Sequence, residues 1–131
     1  MADVNWLAVV VAAGSSFLLG GLWYSPKLFG TAWGKAAGID ASSKQGHPAR
    51  VFAVSFVLSV VAAALFAWWI GPHPAFGFAV TRGLLVGGGF VATCFGINYQ
   101  FANRHPLLWA IDGGYHVAQF ALFGVVLGLF G

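Results

Sequence analysis

Residues 51–70 read VFAVSFVLSVVAAALFAWWI, twenty positions without a charged side chain and with only Ser55 and Ser59 bearing a hydroxyl. A helix rises about 1.5 Å per residue, so a run of this length covers the roughly 30 Å of hydrocarbon in a bilayer. With Ala49 and Arg50 ahead of it, the run predicts a transmembrane helix over about 49–70. The i, i+4 spacing of the two serines puts both on one face, where they are expected to pack or bond across helices.

The rest of the chain is built the same way. Of its 131 residues, 60% are hydrophobic and 7% charged, against about 25% charged in a soluble domain. A globule this small buries only about two-thirds of its unfolded surface, and so few charges cannot solvate the remainder. Lipid is therefore the predicted partner of most of the surface. The net charge of +3 is scattered between apolar runs, which excludes a nucleic-acid-binding role.

Three further apolar runs, about 4–24, 76–101 and 106–130, are each long enough to span. The first carries Asp3 and no Lys or Arg before Lys27, which sets it apart from a signal peptide with its basic leader. Gly71-Pro72-His73-Pro74 and Asn103-Arg104-His105-Pro106 break the helices, because proline lacks an N–H and restricts its predecessor. Gly83 and Gly87, followed by Gly88 and Gly89, form a small-xxx-small register that lets helices approach closely. Cys94 is the only cysteine, which forbids an intrachain disulfide, and a buried packing role is expected for it. The fold class predicted is all-α: a single domain over 1–131, an integral membrane bundle of four transmembrane helices that forms a homo-oligomer.

Charge gives the orientation. The long segment 25–48 carries Lys27, Lys35 and Lys44, with Arg50 just beyond and Arg104 in the third connection, whereas the other side offers Asp3 and His73, with Arg82 six residues into its span. The positive-inside rule then predicts N-out/C-out with the long loop in the cytoplasm, a cell-membrane protein of the bacterial inner-membrane type. Trp6, Trp68 and Trp69 fall at the outer ends and Trp23, Tyr24, Trp33 and Trp109 at the inner ends, as an aromatic belt does. Phe29, Trp33 and Ala36/Ala37 recur at helical spacing near Lys27 and Lys35, predicting a short interfacial helix in the first cytoplasmic loop. Gly14, Gly21 and Tyr24 are answered by Gly89, Gly96 and Tyr99 at one constant offset, a hint of duplicated hairpins.

The run Gly21-Leu22-Trp23-Tyr24-Ser25-Pro26, with Phe29-Gly30 and Trp33 after it, and the pattern Asp112-Gly113-Gly114-Tyr115-His116 near the end, are the most distinctive elements. Together they resemble domain-of-unknown-function family 1761, bacterial membrane proteins of four helices. The resemblance spans nearly the whole chain. It implies the membrane architecture and no particular substrate or reaction.

Asp112 and His116 lie four apart on the last run and share a face, with Tyr115 beside them and Gln119 one turn on. Counted from Pro106, they sit about 9 Å and about 15 Å deep. An ionised carboxylate at the bilayer centre costs about 2.5–3.5 kcal/mol on insertion scales, so such groups face a bundle interior or a water-filled cavity. Asn98 and Tyr99 end the third run and Tyr24 ends the first, all at the depth of Asp112. These residues predict a binding site for a proton, cation or small solute in a channel- or transporter-like protein. The competing reading is a self-assembling structural or interaction protein whose buried polar groups serve packing alone. Arg82 is expected to snorkel to the outer headgroups, with an anion or Asp3 as its other candidate partners.

Metal binding needs three or four converging ligands, and His47, His73 and His105 lie in connections away from Asp112 and His116. With no phosphate loop, paired cysteines or nucleophile elbow either, neither an enzyme nor a cofactor is expected.

Overall fold

The computed structural model describes residues 4–38 and 48–130, and Asp3, Lys44 and His47 lie outside them. All regular structure in the described residues is helical: α1 (Trp6–Trp23), α2 (Gly30–Ala37), α3 (Pro48–Ile70), α4 (Phe76–Leu84), α5 (Ala92–Phe101) and α6 (Pro106–Phe130). A π-helical segment, Leu85–Val91, joins α4 to α5 without a break. Four helical stretches are long and apolar enough to cross a membrane: Trp6–Trp23, Ala49–Ile70, Phe76–Phe101 and Pro106–Phe130.

Local chemistry sets the ends. The Asn5 side chain accepts the Ala8 N–H at 3.1 Å and caps α1. Gly71 (φ 85°) and His73 (φ 51°) turn the chain out of α3, and Asn103 (φ 55°) turns it out of α5. Pro106 opens α6, where its missing N–H costs nothing.

The last span is the centre of the molecule. α1 packs on one side of it and the α4–π–α5 span on the other, while α3 packs mainly on α1. A core of Ala8, Val9, Ala12, Ala63, Phe66, Phe120, Phe123 and Leu127 joins α1, α3 and α6. Elsewhere the spans turn Leu18, Val57, Leu58, Phe90 and Phe101 outward, an inside-out distribution that only an apolar solvent tolerates.

The glycines set the distance between α6 and the third span. A Cβ on Gly83 or Gly124 would collide with the backbone of the facing helix, at Phe120 and Ala79 respectively. One on Gly87 would come within 2.7 Å of the His116 carbonyl oxygen and of Val117 Cα. The expected close contact of Gly83 and Gly87 is thus made inside the chain, with Gly124 answering from α6.

Three expectations need correction. The third span is not a uniform α-helix, because it widens to π over Leu85–Val91, around the glycine triplet. Where it narrows again, the Thr93 hydroxyl lies within 3.0 Å of the Gly89 carbonyl oxygen and 2.8 Å of that of Phe90. Ser59 donates to the Ser55 carbonyl of its own helix, at 2.9 Å, instead of bonding across helices. Cys94 is exposed, not buried.

Because Gly87 faces backbone and Leu84 is 48% exposed, Gly87→Leu will destabilise the fold by about 1–3 kcal/mol or more, and Leu84→Ala by much less. Thermal unfolding and size-exclusion profiles in detergent measure the difference, and equal behaviour of the two variants would refute the contact.

Candidate functional site

Asp112 stands on α6 facing α1, α2 and α5, and only 8% of it is exposed. Both carboxylate oxygens are taken. Oδ1 accepts the Tyr24 hydroxyl at 2.6 Å and the Trp33 indole N–H at 2.9 Å. Oδ2 accepts the Tyr99 hydroxyl at 2.6 Å. The donors come from the end of α1, from α2 and from α5, and none is a cation. Charge-assisted hydrogen bonds of this kind are about twice as strong as neutral ones, and three of them offset the cost of keeping a carboxylate away from water.

The surrounding residues build the socket. Trp23 donates its indole N–H to the Ile111 carbonyl at 3.0 Å, fastening the end of α1 to α6 one residue before the carboxylate. Gly114 lies under the Trp23 ring, where a Cβ would come within 3.1 Å. The turn after α1 is closed by Phe29 N–H to Trp23 O at 3.0 Å and Gly30 N–H to Ser25 O at 2.9 Å. A side chain at Gly30 would collide with the Tyr24 carbonyl, so the Phe-Gly pair lets the turn fold back and start α2 beneath Tyr24. Tyr24 and Trp33 then meet edge to face at 5.9 Å between centroids. Arg104 holds the far end of α2, donating to the Ala37 carbonyl at 2.9 Å in the manner of a C-terminal cap. The two sequence patterns singled out above are thus the two halves of one structure. The Trp-Tyr-Ser-Pro element with its Phe-Gly and Trp wraps the Asp-Gly-Gly-Tyr-His element.

Of the site residues expected from sequence, Asp112, Tyr24 and Tyr99 come together. His116 and Asp112 do not bond to each other. The His116 Nδ1–H donates to Gln119 Oε1 at 2.7 Å, and its ring stacks on Phe95 at 4.9 Å and 22°. Tyr115 donates to the Ser16 carbonyl at 2.9 Å, toward α1. Asn98 is exposed and makes no side-chain hydrogen bond to the carboxylate. The residue that sequence reasoning left out of the site is Trp33. Its place in the recurring pattern singled it out, but its indole pointed equally to headgroup anchoring. Trp23 and Trp109 likewise turn their N–H groups into the protein, Trp109 donating to the Ala92 carbonyl at 2.8 Å. Among the described residues, no group of three or more His, Cys, Asp or Glu side chains could hold a metal.

Each donor left without its acceptor costs about 1–3 kcal/mol. Asp112→Leu strands three and will be the most destabilising change at the site. Asp112→Asn will be milder, since the amide keeps one oxygen and Tyr99 can turn to accept. Trp33→Phe removes one bond and frees α2, so trypsin will cut at Lys35 faster while the four spans stay assembled. Equal trypsin rates for wild type and Trp33→Phe would refute the tether.

No curated protein and no solved structure matches the chain. Residues 7–128, nearly its whole length, match the family described as "Protein of unknown function (DUF1761)". With four apolar spans, and with the two elements that the resemblance rested on meeting around Asp112, the chain is a small membrane protein belonging to that family.

Proposed function

We propose that the protein is a non-catalytic, self-associating structural component of the bacterial inner membrane, and that the Asp112 centre serves to lock its fold. The observation that carries this is the saturation of Asp112 by three side-chain donors from three elements. A conduction site needs a carboxylate that can exchange its partners, whereas this one holds the chain together. The polar groups of α6 also stop at Gln119, and Phe120, Phe123, Val126 and Leu127 continue the same helix in an apolar core. A polar path along α6 therefore ends near mid-depth. Self-association is supported by Gly14 and Gly21, two turns apart on α1 with nothing packed on either, which leaves a face that another helix can approach.

A transport role for a proton, cation or small solute is the second reading, favoured by His116. With Nδ1 bonded to Gln119, Nε2 meets no partner among the described residues, at about 15 Å from the start of α6. The binding residues would then be Asp112, Tyr115, His116 and Gln119, with Tyr24 and Tyr99 as the inner gate. Flux of protons and monovalent cations into proteoliposomes, at two pH values on either side of about 6.5, separates the readings. The structural role predicts flux equal to that of empty liposomes for wild type, and loss of assembly for Asp112→Leu. A pH-dependent flux abolished by His116→Phe in an assembled protein would overturn it in favour of transport.

The orientation belongs to the same proposal: termini outside and α2 in the cytoplasmic interface, supported by Lys27, Lys35 and Arg104 at one end of the spans. With Cys94 replaced by alanine, Lys35→Cys will react with an impermeant thiol reagent only from the cytoplasmic side, and Ala75→Cys only from outside. The reverse labelling would invert the topology.

A further inference from the structure

Arg82 lies at the opposite end of the bundle from Asp112 and is half-buried. Its α-carbon is six residues into the third span, about 9 Å from the start of α4. A helical side chain leans toward the N-terminus of its helix. Its guanidinium accordingly rests over the ring of Phe78, four residues earlier, at 4.8 Å, and over Trp69 near the end of α3 at 5.7 Å. The cation is thus held at the level of the α3–α4 turn, where a bilayer's headgroups begin.

What it lacks, among the described residues, is an anion. Asp112 is the one acidic residue among those described, and it sits about 12 Å further down α6 than Phe120, the residue that Gly83 touches. Among the described residues no acceptor meets the Arg82 N–H groups. The indole N–H of Trp69 beside it likewise meets no acceptor among the described residues, and Trp69 and Trp68 are both more than half exposed. Two aromatic faces hold the planar cation in place without using any of its five donors. A cluster of donors with no acceptor, half-desolvated at headgroup depth, calls for a ligand made of acceptor oxygens. A phosphate diester offers two of them in the spacing of a guanidinium fork.

We propose that Arg82, stacked on Phe78 and Trp69, binds the phosphate of a membrane phospholipid, with the Trp69 indole as a second donor. The acyl chains would lie along the exposed apolar surface of α3 and α4, to which Leu65, Trp68 and Phe76 contribute.

Native mass spectrometry of the full chain in a mild detergent tests this, with phosphatidylglycerol, diacylglycerol and inorganic phosphate titrated separately. Diacylglycerol has the same tails without phosphate, and inorganic phosphate has the anion without tails. Wild type is expected to bind phosphatidylglycerol about tenfold more tightly than diacylglycerol, the size of one charge-assisted hydrogen bond. Arg82→Gln is expected to lose that preference, Arg82→Lys to keep part of it, and Phe78→Leu to weaken it with the charge intact. Size-exclusion profiles identify variants that still fold, and Arg82→Lys and Phe78→Leu keep the test decisive where Arg82→Gln does not. Asp3→Asn is expected to change nothing. An unchanged preference in folded Arg82→Gln would overturn the proposal. So would binding of inorganic phosphate without the lipid, or a change of lipid binding in Asp3→Asn, which would make that carboxylate the partner of Arg82.

Discussion

One carboxylate, surrounded by hydroxyl and indole donors instead of by a cation, ties the molecule together. Asp112 gathers α1, α2 and α5 onto α6, and the cost of holding a charge at that depth is what makes the arrangement specific. Apolar helices in lipid have little to distinguish one packing from another, since tails are as apolar as leucine. A carboxylate with three convergent donors does distinguish them, because any rotation of α1 or α5 leaves a phenol or a carboxylate oxygen unpaired. Tyr24 and Tyr99, which share the constant offset of the faint internal echo, grip its two oxygens from opposite flanks of α6.

Close packing completes what the carboxylate starts. Gly83, Gly87 and Gly124 let the third span and α6 touch backbone to backbone, which gains dispersion contacts that no larger residue would permit. The π-helical segment lies in this same contact, against His116 and Val117, so the widened turn and the close approach occupy one place. α3 has no such contact with the third span and leans mainly on α1, through Phe17 against Phe52 and Phe56. Its N-terminal half is exposed along most of its length, which leaves it few constraints from the rest of the chain.

The two ends of the bundle differ in chemistry. At one, uncharged donors of the protein itself satisfy the oxygens of Asp112, and Arg104 donates a hydrogen bond to a helix carbonyl. At the other, Arg82 is stacked on the rings of Trp69 and Phe78, and no acceptor among the described residues meets its donors.

The amino-acid sequence by itself determined the solvent, the spans and their breaks. These depend on quantities summed or fixed locally: the transfer of twenty apolar side chains, the missing N–H of Pro106, the left-handed turn at Gly71. It also set the depth of each polar group, so Tyr24, Tyr99 and Asp112 were legible as one level before any fold was known. Depth is a distance along an axis, and a single helix carries it. Which way a group faces across the gaps between helices is not carried by any one of them. That is why the tertiary structure alone decided that Trp33, 79 residues away in sequence, reaches Asp112, and that Asn98 is left exposed. It alone decided as well that the glycine triplet opens into a π turn. A hydrogen bond is made or lost within less than an ångström, and only the packed helices fix positions to that tolerance.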